Sequence, residues 1–260
     1  MRLDQAIAAR NPEISRRKAR ELIAQRRVLV NERPVSIASR EVRDADRIAI
    51  IDALPPQFEI LKVTDAFVAV NKPAGMPTQP TRDRKQHSLE ELLRVQFRSI
   101  FLVHRLDTGT SGVVLFARSR ESAARLSELF AGRAMRKVYL ARIEGSIENE
   151  ITIDSPIGGK DALTIVRPLA DGLVEAEIRT GRTHQIRIHL AELGHPVCGE
   201  KVYNRKPAGP SIEDESGAPR LALHATELGF VHPVTSQSLQ WSMPLPPDLQ
   251  SFLTRLRTSK

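Results

Sequence analysis

Apolar residues recur at helical spacing near the start of the chain. Leu3, Ala6 and Ile7 share one face, and Ala19, Leu22 and Ile23 repeat at i, i+3, i+4 behind Ser15, a side chain suited to an N-cap. The period then changes. Val28-Leu29-Val30-Asn31 begins strand-like, and the stretch from Val42 to Ile51 ends in alternation. Together these residues predict a small α/β module over residues 1–53. Ala53-Leu54-Pro55-Pro56-Gln57 reads as a connector and a domain boundary.

A second domain is predicted over residues 58–256. Phe67 to Val70 and Val113 to Ala117 are short apolar runs of buried strands, and Val138 to Ile143 and Val174 to Ile178 alternate like half-buried ones. Ser88 and Glu91 form a capping box ahead of Leu89, Leu92, Leu93 and Phe97. Ala123, Leu126, Leu129 and Phe130 mark another helix. Thr183 to Leu193 predicts a third, with Ile186, Leu190 and Leu193 on one face and Gly194 closing it. Residues 204–220 read as a polar loop. Strands and helices interleave irregularly, which points to an α+β fold with a large, mostly antiparallel sheet and flanking helices around a cleft.

Charge narrows the partner. The chain has 260 residues and a net charge of +8, which favours a polyanion, nucleic acid first. Between Ser15 and Arg27 stand Arg16, Arg17, Lys18, Arg20, Arg26 and Arg27 against one acid, Glu21. Arg16, Arg17, Lys18 and Arg20 largely avoid the apolar stripe of their helix, so they are expected to meet phosphates without reading base edges. Aromatics are only 4%, which argues against a broad stacking platform. One cysteine, Cys198, excludes an internal disulfide and fits a reducing cytoplasm. No run is long enough for a membrane span, so no membrane partner is expected, and the chain reads as a monomer.

The candidate chemistry lies in His104-Arg105-Leu106-Asp107-Thr108-Gly109-Thr110-Ser111-Gly112. This segment sets a carboxylate in a turn between two apolar runs, with Arg105 close in sequence. It resembles the H-R-L-D-x-x-T-S-G motif of the RluA-type pseudouridine synthases. Other segments in the same order resemble that family too: Asn71-Lys72-Pro73-Ala74-Gly75, Arg136-Lys137-Val138-Tyr139-Leu140-Ala141, Thr180-Gly181-Arg182-Thr183-His184-Gln185-Ile186-Arg187-Ile188-His189-Leu190, and Leu221-Ala222-Leu223-His224-Ala225 with Phe230, His232 and Pro233. Residues 1–53 resemble the RNA-binding domain of ribosomal protein S-four. Two positions depart from the family pattern. Gly109 stands where Asp or Glu is common, and Gly199-Glu200-Lys201-Val202-Tyr203-Asn204 replaces a common G-D-x-x-Y-G.

The resemblance implies an isomerase of ribosomal or transfer RNA, large-subunit ribosomal RNA first. Asp107 would be the catalytic carboxylate, Arg187 its ion-pair partner, and Tyr139 a ring stacked on the uracil. Leu223 or Leu221 would pack on the other face of the base. Arg105, Arg182, His184 and His104 would contact RNA or hold the site, and Lys72 would meet backbone or phosphate. Turning uridine into pseudouridine breaks the ribose–nitrogen bond, rotates the uracil and forms a bond to ring carbon five. That is redox-neutral, so no cofactor is expected. The carboxylate can act as nucleophile at the anomeric carbon or as base at the ribose 2′ position. A Ser-His-Asp hydrolase is disfavoured because Val113 stands where the G-x-S-x-G elbow needs glycine. A zinc site is disfavoured because His184 and His189 are five apart and there is one cysteine. The remaining alternative is a non-catalytic RNA-binding or ribosome-assembly protein on the same fold.

Overall fold

The computed structural model describes residues 1–24, 27–50, 58–81, 87–132, 134–170, 172–204, 214–232 and 235–258. The expected connector, Arg26, Pro233 and residues 205–213 of the expected polar loop lie outside them.

The N-terminal elements follow the apolar pattern. Helices α1 (Leu3–Arg10) and α2 (Arg16–Ala24) bury Leu3, Ala6, Ile7, Ala19, Leu22 and Ile23 in one cluster. Ser15 accepts from the Lys18 amide at 3.2 Å, the N-terminal bond its type predicts. Strands β1 (Val28–Val30), β2 (Arg33–Pro34) and β3 (Ile48–Ile50) form a small antiparallel sheet in the order β2-β1-β3.

Ten strands build the main sheet. In chain order the elements are β4 (Glu59–Val63), β5 (Phe67–Lys72), α3 (Leu89–Gln96), β6 (Phe101–Leu102), β7 (Ser111–Ala117), α4 (Arg120–Ala131), β8 (Arg136–Arg142), β9 (Ile151–Ile153), β10 (Thr164–Ala170), β11 (Leu173–Ile178), α5 (Gln185–Glu192), β12 (Leu223–Val231), β13 (Ser238–Ser242) and α6 (Pro247–Thr258). The strand order is β4-β5-β7-β12-β8-β11-β10-β9, with β13 on β12 and β6 on β7. Every pairing is antiparallel except β7 with β12, where His224 faces Ser111 and Ala225 faces Gly112. The expected α+β class, with a mostly antiparallel sheet, is what the chain adopts.

That parallel junction is tight. Gly112 has φ +119°, and a Cβ there would lie 2.2 Å from the Ala225 carbonyl oxygen. Only glycine fits without moving a backbone. The junction also divides the core. Val68, Val70, Val114 and Phe116 pack with Leu89 and Leu93 of α3, while Ala141, Val174, Ile186 and Leu190 pack with Phe252 of α6. Each fully buried aliphatic or aromatic side chain contributes about 1.5–3 kcal/mol by leaving water. Tyr139 touches both clusters.

The helix over Thr183–Leu193 needs correction. It runs from Gln185 to Glu192, and Leu193 is 38% exposed rather than buried. Leu193 is the C-cap and Gly194 takes φ +82°, so the chain turns away before residue 193 can rejoin the apolar face. The Ser88–Glu91 capping box forms as expected.

Candidate active site

A cavity of about 470 Å³ opens where the loop before β7, the face of β8, the start of β12 and the N-terminus of α5 meet. Its size is that of a small-molecule site. Asp107, Tyr139, Leu223, His184 and Arg187 all line it, as do Arg105, Arg182 and His104. Residues up to 120 apart in sequence thus share one hollow (103 to 223).

Asp107 sits in the turn after β6, where the Thr110 amide donates to its backbone carbonyl at 3.0 Å. Its side chain is 18% exposed. Arg187 Nη1 lies 3.4 Å from Oδ2, and His184 Nε2 lies 3.6 Å from Oδ1. Arg105, the nearest cation in sequence, is exposed. The cation that pairs with Asp107 comes instead from α5.

Arg187 is held from the other side. Its Nε and Nη2 reach the two oxygens of Glu200 at 2.7 Å each, and its guanidinium lies 5.2 Å from the centre of the Tyr203 ring. Glu200 is fully covered, and Oε1 also accepts the amides of Lys201 and Val202 at 2.9 and 2.8 Å. Burial pushes the Glu200 carboxyl up, but the bonds from Arg187 and the backbone outweigh it and keep it below the usual range. Tyr203 completes the frame. Its hydroxyl and His184 Nδ1 are 2.7 Å apart, which fixes an imidazole held at φ +57°. Glu200 and Tyr203 were visible in the sequence only as a departure from a family pattern.

Tyr139 is half-buried on β8. Burial, aided by the nearby Asp107, pushes its phenol above the ordinary value, so it is neutral at physiological pH. Leu223 is buried beneath the cavity, and Leu221 packs toward Gly109 instead. A Cβ at residue 109 would meet Leu221 Cβ at 3.4 Å, an ordinary contact, so no steric demand explains glycine there.

Lys72 takes the backbone alternative. Its ammonium is buried and donates to the carbonyls of Pro73, Met76 and Thr108 at 2.9, 2.7 and 3.4 Å. It thereby ties β5 to the Asp107 loop. Burial lowers its pKa to about 7, with Asp107 acting in the opposite sense. His104 is a structural acceptor: Nε2 takes the Leu115 amide at 2.9 Å and the ring stacks on Phe130. Burial drops its pKa to about 3, so it stays neutral. His224 pairs with Ser111 Oγ at 2.9 Å. Arg182 is part-buried and donates to the Asp161 carbonyl at 2.8 Å. Lys137, unremarked in the sequence, lines the cavity with its ammonium on the Thr180 carbonyl at 3.1 Å. Burial lowers its pKa to about 8, helped by Arg179. Arg16, Arg17, Lys18 and Arg20 are all exposed on α2, remote in sequence from the cavity residues.

The sequence and the fold match a known class. Residues 66–192 match the family described as RNA pseudouridylate synthase, and residues 1–48 match the S4 domain. The ribosomal large subunit pseudouridine synthase D of Nitrosomonas europaea is 32% identical over 99% of this chain and 85% of its own length. The tRNA pseudouridine synthase C of Vibrio vulnificus is 37% identical over 70% of this chain and 88% of its own. Among solved structures, human RNA pseudouridylate synthase domain containing 1 superposes with a TM-score of 0.60 at 26% identity, covering 78% of this chain and 94% of that one. The chain belongs to the RNA pseudouridine synthase family, and it is an enzyme of that family rather than a non-catalytic assembly protein. Among the described residues, no helix is long and apolar enough to cross a membrane.

Proposed function

We propose that this enzyme converts specific uridines of large-subunit ribosomal RNA to pseudouridine, with Asp107 as its catalytic carboxylate. The observation that carries the reading is the placement of Asp107 at the cavity wall, paired with Arg187 and sharing the hollow with Tyr139 and Leu223. A uracil flipped out of its RNA would lie between the Tyr139 ring and Leu223. Its ribose would then face Asp107. The carboxylate either attacks the anomeric carbon or removes the 2′ proton. In both routes the glycosidic bond to nitrogen breaks, the uracil rotates, and ring carbon five bonds the anomeric carbon. The bond from Asp107 to the anomeric carbon breaks as the carbon–carbon bond forms, or in the other route the 2′ proton is returned, and the proton on ring carbon five leaves last. Every step is redox-neutral, and we infer that no cofactor takes part.

Large-subunit ribosomal RNA is favoured because the relative matched over 99% of this chain bears that target in its name. The transfer-RNA enzyme matches over 70%. The chain would divide its labour, with residues 1–53 docking RNA and residues 58–256 performing the isomerisation in the cytoplasm, as a monomer. Arg105 and Arg182 at the cavity rim, and Arg16, Arg17, Lys18 and Arg20 on α2, would supply the phosphate contacts.

Mapping pseudouridines by carbodiimide-based primer extension tests this. RNA would come from cells with the gene, without it, and with Asp107→Asn in its place. The expected result is a large-subunit site that disappears on deletion and returns with wild type but not with Asp107→Asn. A lost transfer-RNA site would move the target. Full restoration by Asp107→Asn would refute the role of Asp107.

A further inference from the structure

A charge arrangement in the first two helices is not used by the catalytic cavity. The Asp4 side chain, on α1, is completely covered, yet three guanidiniums converge on it. Arg2 Nε lies at 3.1 Å, Arg16 Nη2 at 3.3 Å and Arg20 Nε at 2.8 Å. Arg16 and Arg20 are neighbours one turn apart on α2, and Arg2 immediately precedes α1. The three arginine side chains remain 46%, 50% and 53% exposed. Each therefore touches the carboxylate with one edge and shows the rest of its fork to solvent.

The carboxylate is charged throughout the physiological range. Burial pushes Asp4 up, but the bonds from Arg20, Arg2 and Arg16 outweigh this and hold it at about 2. Apolar packing of Ala6 and Ile7 against Ala19, Leu22 and Ile23 already joins the two helices. What Asp4 adds is order among cations that would otherwise repel one another. Arg2 and Arg20 bind it through Nε, and their terminal nitrogens have no hydrogen-bond partner among the described residues. Planar forks fixed in this way match phosphate oxygens better than freely rotating charges do.

We propose that Asp4 is a positioning residue for RNA recognition: it gathers Arg2, Arg16 and Arg20 into a preorganised clamp for backbone phosphates. The proposal rests on RNA being the partner, as argued above, and adds a consequence that charge alone contradicts. An acid in the docking surface strengthens binding to a polyanion. Ordering the cations before contact removes a cost that binding would otherwise bear.

The test is equilibrium binding of the full chain to a large-subunit ribosomal RNA fragment across a range of salt. Asp4→Asn adds one positive charge, so simple electrostatics predicts tighter binding. We expect it to bind about tenfold more weakly. Glu21→Gln adds the same charge on the same helix at an exposed acid whose contact is with Lys18 at 3.5 Å. It should bind as well as wild type or better. Arg20→Lys keeps the net charge but loses the fork, and should weaken binding about 3–10-fold with little change in salt slope. Arg125→Lys, at an exposed arginine of α4 paired with Glu121 at 2.8 Å, should have no effect. A folded Asp4→Asn that binds as tightly as wild type overturns the proposal. If that variant unfolds, as thermal melting would reveal, Arg20→Lys decides, and wild-type affinity there overturns it. A wild type that neither binds nor modifies the RNA fells the functional reading and this clamp with it. A wild type that modifies RNA while Asp4→Asn keeps full affinity fells the clamp alone.

Discussion

Arg187 is bound more closely to Glu200 than to Asp107. Two contacts of 2.7 Å join it to Glu200, against one of 3.4 Å to Asp107. The guanidinium is therefore aimed by a carboxylate that does not line the cavity, and it meets the one that does by its remaining edge. A buried pair of this kind is costly to break from one side, because the partner is left charged without a counterion.

Glu200→Gln should lower kcat about 10–100-fold with little change in KM for RNA, since a displacement near 1 Å at a reacting group has effects of that order. Stability should fall by about 3–5 kcal/mol. Glu200→Asp keeps the charge and should recover most of the activity. Steady-state kinetics below the melting temperature of each variant would check this. Equal activity of Gln and wild type would show that Arg187 needs no such aim.

Tyr139→Phe and Tyr139→Ala separate the ring from the hydroxyl. The phenol lies above its ordinary pKa, so a proton-transfer role, as proposed, would be that of a neutral hydroxyl rather than a pre-ionised base. Phe should bind RNA normally and turn over about 10²–10⁴-fold more slowly. Ala should also lose stacking worth about 1–3 kcal/mol. Single-turnover kinetics distinguishes the two. A Phe variant as fast as wild type would leave only the stacking role.

Lys72 should make stability depend on pH. Its folded pKa of about 7 lies below the ordinary lysine value of 10.5. Between these values the unfolded chain binds more protons, so stability rises with pH from about 7 to about 10.5. Below 7 both states are protonated and the dependence ends. Relative to Lys72→Met, wild type should therefore gain stability between pH 6.5 and pH 9 in urea titrations. A constant difference would mean that the three carbonyls hold the ammonium charged.

Gly112→Ala should destabilise the fold by about 3 kcal/mol or more, because strain at positive φ and backbone overlap act together. The Cβ would strike the Ala225 carbonyl at the β7–β12 junction. Thermal unfolding would measure the loss. A melting temperature within two degrees or so of wild type would mean that the strands separate at little cost.

Much of this protein was legible along the chain because its signals are local. Helical spacing in Leu3, Ala6 and Ile7, the capping box at Ser88 and the apolar run before Ala117 each depend on residues a few positions apart. The candidate catalytic segments are legible for a different reason: runs such as His104 to Gly112 resemble the motifs of a known family. Distance through space was not legible. Arg105 is two residues from Asp107 yet exposed and makes no ion pair with it, whereas Arg187, 80 residues on, pairs with it. Lys72 could have been an exposed phosphate contact, yet it is buried, with its ammonium on the carbonyls of Pro73, Met76 and Thr108. Glu200 and Tyr203 stand in the sequence only as a departure from a family pattern, and packing makes them the frame of Arg187 and His184. Asp4 lay in an ordinary first helical turn until α2 brought Arg16 and Arg20 against it. Sequence determines which groups are available and which local elements form. Ion pairing, burial and the pKa values that follow depend on separations of a few ångströms between distant segments, and those exist only after the sheet has assembled.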